Sequence, residues 1–158
     1  MPSAELDEVD RGILHVLQQD ARRITTQEIG EKVDVSASTV RNRIGTLERS
    51  GVIRGYHPNI NYERAGYQLH LLFMCAAPAT DREKLAREAT GVKGVVRVDE
   101  IVGSEQNILV EAVAADTDQL GETHDGLAEL GLTIAHSNIF RNRYVQPFNH
   151  FGIDRATD

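Results

Sequence analysis

The 158-residue chain has one cysteine, three lysines and no apolar run long enough to cross a bilayer. Cys75 alone cannot close an internal disulfide, and the opening MPSAELDEVDRG lacks a basic stretch followed by an apolar run, so nothing indicates export. The longest apolar stretch, LHLLFMCAAPA, is interrupted by His70 and falls short of the ~20 residues a membrane helix needs. These absences predict a soluble cytoplasmic protein without a membrane partner. There is no phosphate-binding glycine loop, no zinc-protease helix and no supportable Ser-His-Asp arrangement. The six histidines, His57, His70, His124 and His136 among them, share no cysteine cluster and no ligand spacing on one element. Neither a metal, a cofactor nor a catalytic residue is therefore expected, and the chain does not read as an enzyme. Gly91-Val-Lys-Gly94 has the spacing of a nucleic-acid clamp, but its place between a helix and a strand makes it a cap and turn.

Charge is present in quantity and divided unevenly. The formal net charge is -7, yet residues 1–60 hold eight Lys+Arg against nine Asp+Glu, whereas residues 61–158 hold nine against fifteen. Four arginines (Arg41, Arg43, Arg49, Arg54) face only Glu48 within residues 36–56, and a local basic patch can choose a partner when the net charge does not. Fourteen of the seventeen basic residues are arginine. Lysine depletion with acid excess suits a chain working at high salt, as in a halophilic archaeon, although a GC-rich genome also favours arginine. At high salt, ~6 phosphate contacts would lose roughly eight decades of affinity between 0.1 and 3 M, so base-edge contacts and DNA bending would have to compensate.

Three helices are legible in the first sixty residues. Asp7 precedes Val9, Ile13, Val16 and Leu17, a helical stripe, with Asp10 at the third helical position where the dipole favours an anion. Thr25 and Glu28 form a capping box ahead of Ile29 and Val33, and Gly30 is small enough to admit a closely packed neighbour. Asp34 marks a turn, and Ser36 offers an N-cap to a third helix with Val40, Ile44 and Leu47 facing inward. Two helices joined by so short a turn make a helix-turn-helix.

Opposite that stripe fall Ser38, Asn42, Gly45, Thr46 and Arg49, with Thr39 and Arg41 on the flanks. Short hydroxyl and amide side chains near a helix N-terminus can read base edges, and arginine reaches guanine or phosphate. The predicted DNA contacts are Ser38, Thr39, Arg41, Asn42, Arg43, Thr46, Arg49 and, near the backbone, Arg54. Gly45 costs about 1 kcal/mol relative to alanine in a helix and would let the backbone approach DNA. The plain alternative, a solvated charged helix, leaves the three-helix arrangement unexplained. Gly51 ends the helix, and GVIRGY reads as the strand leaving it.

LDEVDRGILHVLQQDAR, TTQEIGEKVDVSASTVRNRIGTLERSGVIRGY and the following AGY resemble the N-terminal half of the Lrp/AsnC, or feast/famine, transcription regulators. The resemblance runs from about Leu6 to Tyr67 and departs at Asp34, where members usually have glycine; aspartate also tolerates left-handed backbone. It implies a sequence-specific regulator of double-stranded DNA, with a winged-helix-like domain over 1–57. HPNINYERAGY has the turn chemistry of a linker, over 58–67.

Beyond it, QLHLLFMCAA is apolar on both faces, as in a strand covered on both sides. Thr80 and Glu83 form a capping box for a helix through Leu85 and Ala89 to Gly91. Strands VVRVDEIV and NILVEAVA follow, then a helix from about Thr117 to Gly131 and a strand from about Thr133 to Val145. The order β-α-β-β-α-β over 68–147 predicts a ferredoxin-like sheet with helices on one face, within an α+β chain ending in a tail over 148–158. In the resembled family this half senses amino acids and pairs sheet to sheet in homodimers, which assemble into rings such as octamers.

Family members carry Gly-x-Tyr-Asp after the second strand, in a loop contacting a small amino acid between dimers. Here the loop reads VGSEQN: Gly103 matches, Ser104 follows, Glu105 takes the tyrosine position, and Gln106 or Asn107 replaces the aspartate. Ser137 and Asn138 fall where members carry polar, ligand-facing side chains. The alternative is a hairpin loop and an edge strand without effector, which would leave an architectural DNA-binding protein. Siroheme decarboxylases share the two-domain layout, but have paired arginines and a Gly-Ala step where this chain has Arg54-Gly55-Tyr56.

Overall fold

Asp7 sits in extended backbone and accepts from the Asp10 N–H at 2.9 Å, while the Asp10 carboxylate accepts from the Asp7 N–H at 3.3 Å. This reciprocal capping box starts α1 (Glu8–Asp20). Thr25 and Glu28 close a second box at the start of α2 (Thr26–Val33). Ser36 Oγ accepts from the Thr39 N–H at 3.1 Å and opens α3 (Ala37–Arg49). The computed structural model describes residues 5–148 and divides them into two compact units: one contains residues 5–58 with 144–148, the other Asn59–Arg143. The tail expected over 148–158 therefore lies, beyond Phe148, outside the described residues.

In the first unit Ile13, Val16, Ile29, Val33, Val40 and Leu47 are buried together, the stripes the helical spacing predicts. The turn between α2 and α3 depends on two backbone features. Asp34 adopts the left-handed conformation at φ 59°, ψ 47°, in the place where glycine would be unstrained. Gly30 lies against the turn so closely that a Cβ there would meet the Val35 carbonyl oxygen at 2.5 Å. The close neighbour of Gly30 is thus the backbone entering α3.

GVIRGY is not a strand. Gly51, at φ 76°, ends α3, and the Ile53 N–H returns to the Leu47 carbonyl at 3.0 Å. Among the described residues the first unit has no strand for this segment to pair with, and Val52 and Ile53 pack on the helical core instead.

The second unit contains β1 (Leu69–Ala76), α4 (Arg82–Ala89), β2 (Val95–Glu100), β3 (Ile108–Ala114), α5 (Thr117–Glu129) and β4 (Thr133–Ile139). The sheet is antiparallel in the order β2-β3-β1-β4, the expected β-α-β-β-α-β topology. Leu71, Phe73, Cys75, Ile108 and Val110 are buried against Leu85, Ala89 and Leu127 of the two helices. Burial pushes the Cys75 thiol up to about 11, so it serves as a small apolar core group. Gly94, at φ 87°, brings its backbone against Val113 and Thr123, consistent with a cap and turn before β2.

Three boundaries differ from expectation. Asp81, not Thr80, precedes α4, so Glu83 is only the second helical residue and cannot reach back as a capping-box partner; it pairs with Arg87 instead. Strand β2 ends at Glu100, because Ile101 turns to donate to the Asn107 carbonyl at 2.9 Å. β4 ends at Ile139, after which the Phe140 N–H donates to the His70 carbonyl at 2.8 Å and the chain turns onto the sheet. The segment expected as a linker carries the turns its composition implies: Ala65, Gly66 and Tyr67 donate backbone hydrogen bonds within residues 61–67.

On the helix-free face, that turn builds a polar cluster. Glu111, buried, accepts from Arg143 Nη2 at 2.7 Å and pairs with His70 Nε2 at 2.5 Å. The Tyr62 and Phe140 rings flank His70, and the Arg143 guanidinium lies over Phe140 at 4.8 Å. Burial raises the Glu111 pKa, but hydrogen bonding and attraction from Arg143 and His70 outweigh it and leave the carboxyl below its ordinary range.

Candidate nucleic-acid interface

The N-terminus of α3 carries three linked hydroxyls. Ser36 Oγ lies 3.0 Å from Ser38 Oγ and 2.8 Å from Thr39 Oγ1, while also capping the Thr39 amide. Ser38 is exposed and Thr39 half-buried, so only the first presents its side chain fully. One, two and three turns further along, Asn42, Thr46 and Arg49 are exposed, and Arg41 stands on the flank. Among the described residues the side chains of Arg41, Asn42 and Arg54 make no hydrogen bond or ion pair. Their donors and acceptors are available to a nucleic acid.

Arg43 is differently placed. Its Nη1 lies 2.7 Å from Asp7 Oδ2 and 3.2 Å from Asp10 Oδ2, tying α3 to the capping box that starts α1. The hydrogen bond from the Asp10 amide, with Arg43 adding to it, holds the Asp7 carboxyl below its ordinary range. Arg43 adjoins the inward Val40-Ile44-Leu47 stripe on the helical wheel, which turns its side chain toward α1 and away from Asn42 and Arg49. Its charge is met by the two carboxylates that open α1, and it does not stand with the outward group.

In the second unit the loop after β2 is open at its tip and held at its base. Gly103 adopts φ 98°, and Val102, Gly103, Ser104 and Glu105 are exposed. Ser104 Oγ and Gln106 Oε1 stand 3.5 Å apart, too far for a strong bond. Asn107 is committed to the fold: its Oδ1 accepts from the Ala77 N–H and its Nδ2 donates to the Ala77 carbonyl, each at 2.9 Å. That pairing mimics a strand neighbour and fixes the loop to the end of β1.

Ser137 and Asn138 are both exposed but register opposite Phe73 and Leu72, and successive strand residues point to opposite faces. They therefore cannot meet one ligand on the same face. β1 also stands between β4 and β3, where the 101–107 loop ends, so the predicted effector residues do not converge within one chain.

Two clusters escaped sequence reasoning, Asp7-Asp10-Arg43 and His70-Glu111-Arg143. The second left a signal: in NILVEAVA, alternation puts Glu111 on one face with Leu109 and Val113, an acid in an apolar row. Its partners, from two distant segments, left none.

A family model described as winged helix-turn-helix DNA-binding matches residues 6–54. The leucine-responsive regulatory protein of Rhizobium meliloti is 37% identical over 112 residues, covering 70% of this chain and 71% of that protein. The transcriptional regulator LrpA of Pyrococcus horikoshii is 35% identical over 119 residues, covering 74% and 82%. Among solved structures, a transcriptional regulator of Neisseria meningitidis in complex with L-methionine superposes with a TM-score of 0.75 at 24% identity, covering 92% and 98% of the two chains. The leucine response regulatory protein of Mycobacterium tuberculosis gives 0.76 at 22%, covering 92% and 99%. The chain belongs to the Lrp family of helix-turn-helix transcriptional regulators.

Proposed function

We propose that this regulator reads operator DNA with α3 in the major groove, through Ser38, Thr39, Arg41, Asn42, Thr46 and Arg49, with Arg54 on a phosphate. The observation that carries this reading is the row of exposed side chains from Ser38 to Arg49 on one helix face, opposite the buried Val40 and Leu47 and the partly buried Ile44. It acts in the cytoplasm, as a homodimer or larger ring, and performs no chemistry of its own. Selection from a random-sequence DNA pool, followed by Asn42→Ala, tests it. The variant should relax one base position by about 1 to 3 kcal/mol, and equal losses on selected and random duplexes would remove Asn42 from the base-reading set.

An amino acid held between subunits tunes this binding. Gly103 lets the loop turn backbone amides toward a carboxylate, Glu105 meets the ammonium, and Asn107 acts as the fixed post of the loop. Ser137 or Asn138, one only, approaches from a neighbouring copy. The L-methionine in the Neisseria regulator supports an amino-acid ligand. The commitment of Asn107 to Ala77 favours a second reading, DNA binding without effector. Thermal shift across the twenty amino acids decides, since a ligand at 100 times its Kd stabilises by roughly 2.7 kcal/mol. No shift with any of them would favour the second reading.

A further inference from the structure

We infer that Gly45 is the seat of Arg49 and thereby sets the base specificity of α3, a role that rests on reading Arg49 as a DNA contact. Arg49 Nη2 donates to Thr46 Oγ1 at 3.2 Å, and that hydroxyl donates to the Asn42 carbonyl at 3.1 Å. A Cβ on Gly45 would lie 3.1 Å from Arg49 Nη1, 3.9 Å from Cζ and 4.0 Å from Nη2. The guanidinium thus rests over bare backbone.

Glycine is an expensive choice in a helix interior. Nothing in the local backbone asks for it, since Gly45 is not among the positive-φ glycines, and nothing in the core asks for it either. What the missing side chain makes room for is Arg49. So held, the planar guanidinium keeps its remaining N–H donors free on the face that carries Asn42. It is ordered before binding and loses less side-chain freedom on meeting a partner. The planar fork matches the O6/N7 edge of guanine, so the partner is a guanine read in the major groove at the C-terminal end of α3.

The test compares wild type with Gly45→Ala, Arg49→Ala, the double variant, Thr46→Ser and Thr46→Val. Kd is measured on the duplex most enriched by selection from a random pool and on a random duplex at the same salt, and each melting temperature is recorded. Gly45→Ala should weaken the selected duplex roughly ten-fold, leave the random duplex unchanged and raise the melting temperature, because alanine is the better helix former. In the Arg49→Ala background it should have no further effect, and Thr46→Ser should keep the affinity that Thr46→Val loses. A Gly45→Ala loss that persists without Arg49 would assign the glycine to close backbone approach and overturn the seat. So would unchanged affinity or a lowered melting temperature. If Arg49→Ala itself leaves selected binding intact, the DNA-contact reading of Arg49 fails instead.

Discussion

Arg43 Nη1 and Asp10 Oδ2, 33 positions apart in sequence, stand 3.2 Å from one another. Asp10 is 7% exposed, so this pair holds a largely buried carboxylate at the junction of α1 and α3. Arg43→Met should lower stability by about 1 to 3 kcal/mol, the cost of removing the cation beside a largely buried carboxylate. Arg54→Ala should change stability by no more than ~0.5 kcal/mol, and should instead flatten the salt dependence of DNA binding by ~0.9 in slope if Arg54 neutralises one phosphate. Urea unfolding and Kd against salt concentration measure both. A flattened slope for Arg43→Met with unchanged stability would return Arg43 to the DNA face.

Glu111 makes stability depend on acid. Its folded carboxyl lies below the ordinary value of 4.5, so it binds its proton less readily in the folded protein than in the unfolded chain. The stabilisation is complete above that value and is lost as pH falls through the lower, folded one. Glu111→Gln should therefore be less stable than wild type at pH 7, with the gap closing as pH falls below 4.5. Chemical denaturation at several pH values gives the two curves, and parallel curves would show that Glu111 is not the group responsible.

Gly30→Ala should destabilise the first unit even though alanine favours helices. The new Cβ meets a backbone oxygen at 2.5 Å, and backbone cannot swing aside as a side-chain tip can. A loss of ~1 to 3 kcal/mol is expected, as for other overpacked sites. Circular dichroism melting checks it, and a gain in stability would mean the turn opens freely.

Asn107→Ala should cost about 1 to 2 kcal/mol, since two hydrogen bonds to Ala77 are lost, whereas Glu105→Ala should be nearly neutral for stability. If the loop binds an amino acid, Glu105→Ala should abolish the ligand-induced thermal shift that the unliganded melting temperature does not reveal. Equal stability of the two variants would contradict the clip.

Much of the fold was legible because it rests on local patterns. Asp7, Thr25 and Ser36 announced three helix starts, and the Val40-Ile44-Leu47 stripe gave the inward face of α3. The limits appeared where a residue's partner is remote. Arg43 read as one more basic residue in a basic run, since only α1 shows that its charge is already met. GVIRGY has strand composition, but a strand exists only beside another. Ser137 and Asn138 read as a polar pair, though the period of two separates them across the sheet. Asn107 read as a ligand group until its two bonds to Ala77 showed it holding the loop itself.

The Asn107 clip bears on how such a regulator can change over evolutionary time. With the Asn107 side chain bonded to Ala77 and its carbonyl accepting from the Ile101 N–H, Val102 to Glu105 stand exposed and contribute no buried side chain to the sheet. Substitutions at Val102, Ser104 and Glu105 are nearly free of folding cost, while Gly103 at φ 98°, Asn107 and Ala77 carry the geometry. The hairpin therefore behaves as an interchangeable cassette. A lineage can rewrite the side chains of its tip without retuning the core beneath it.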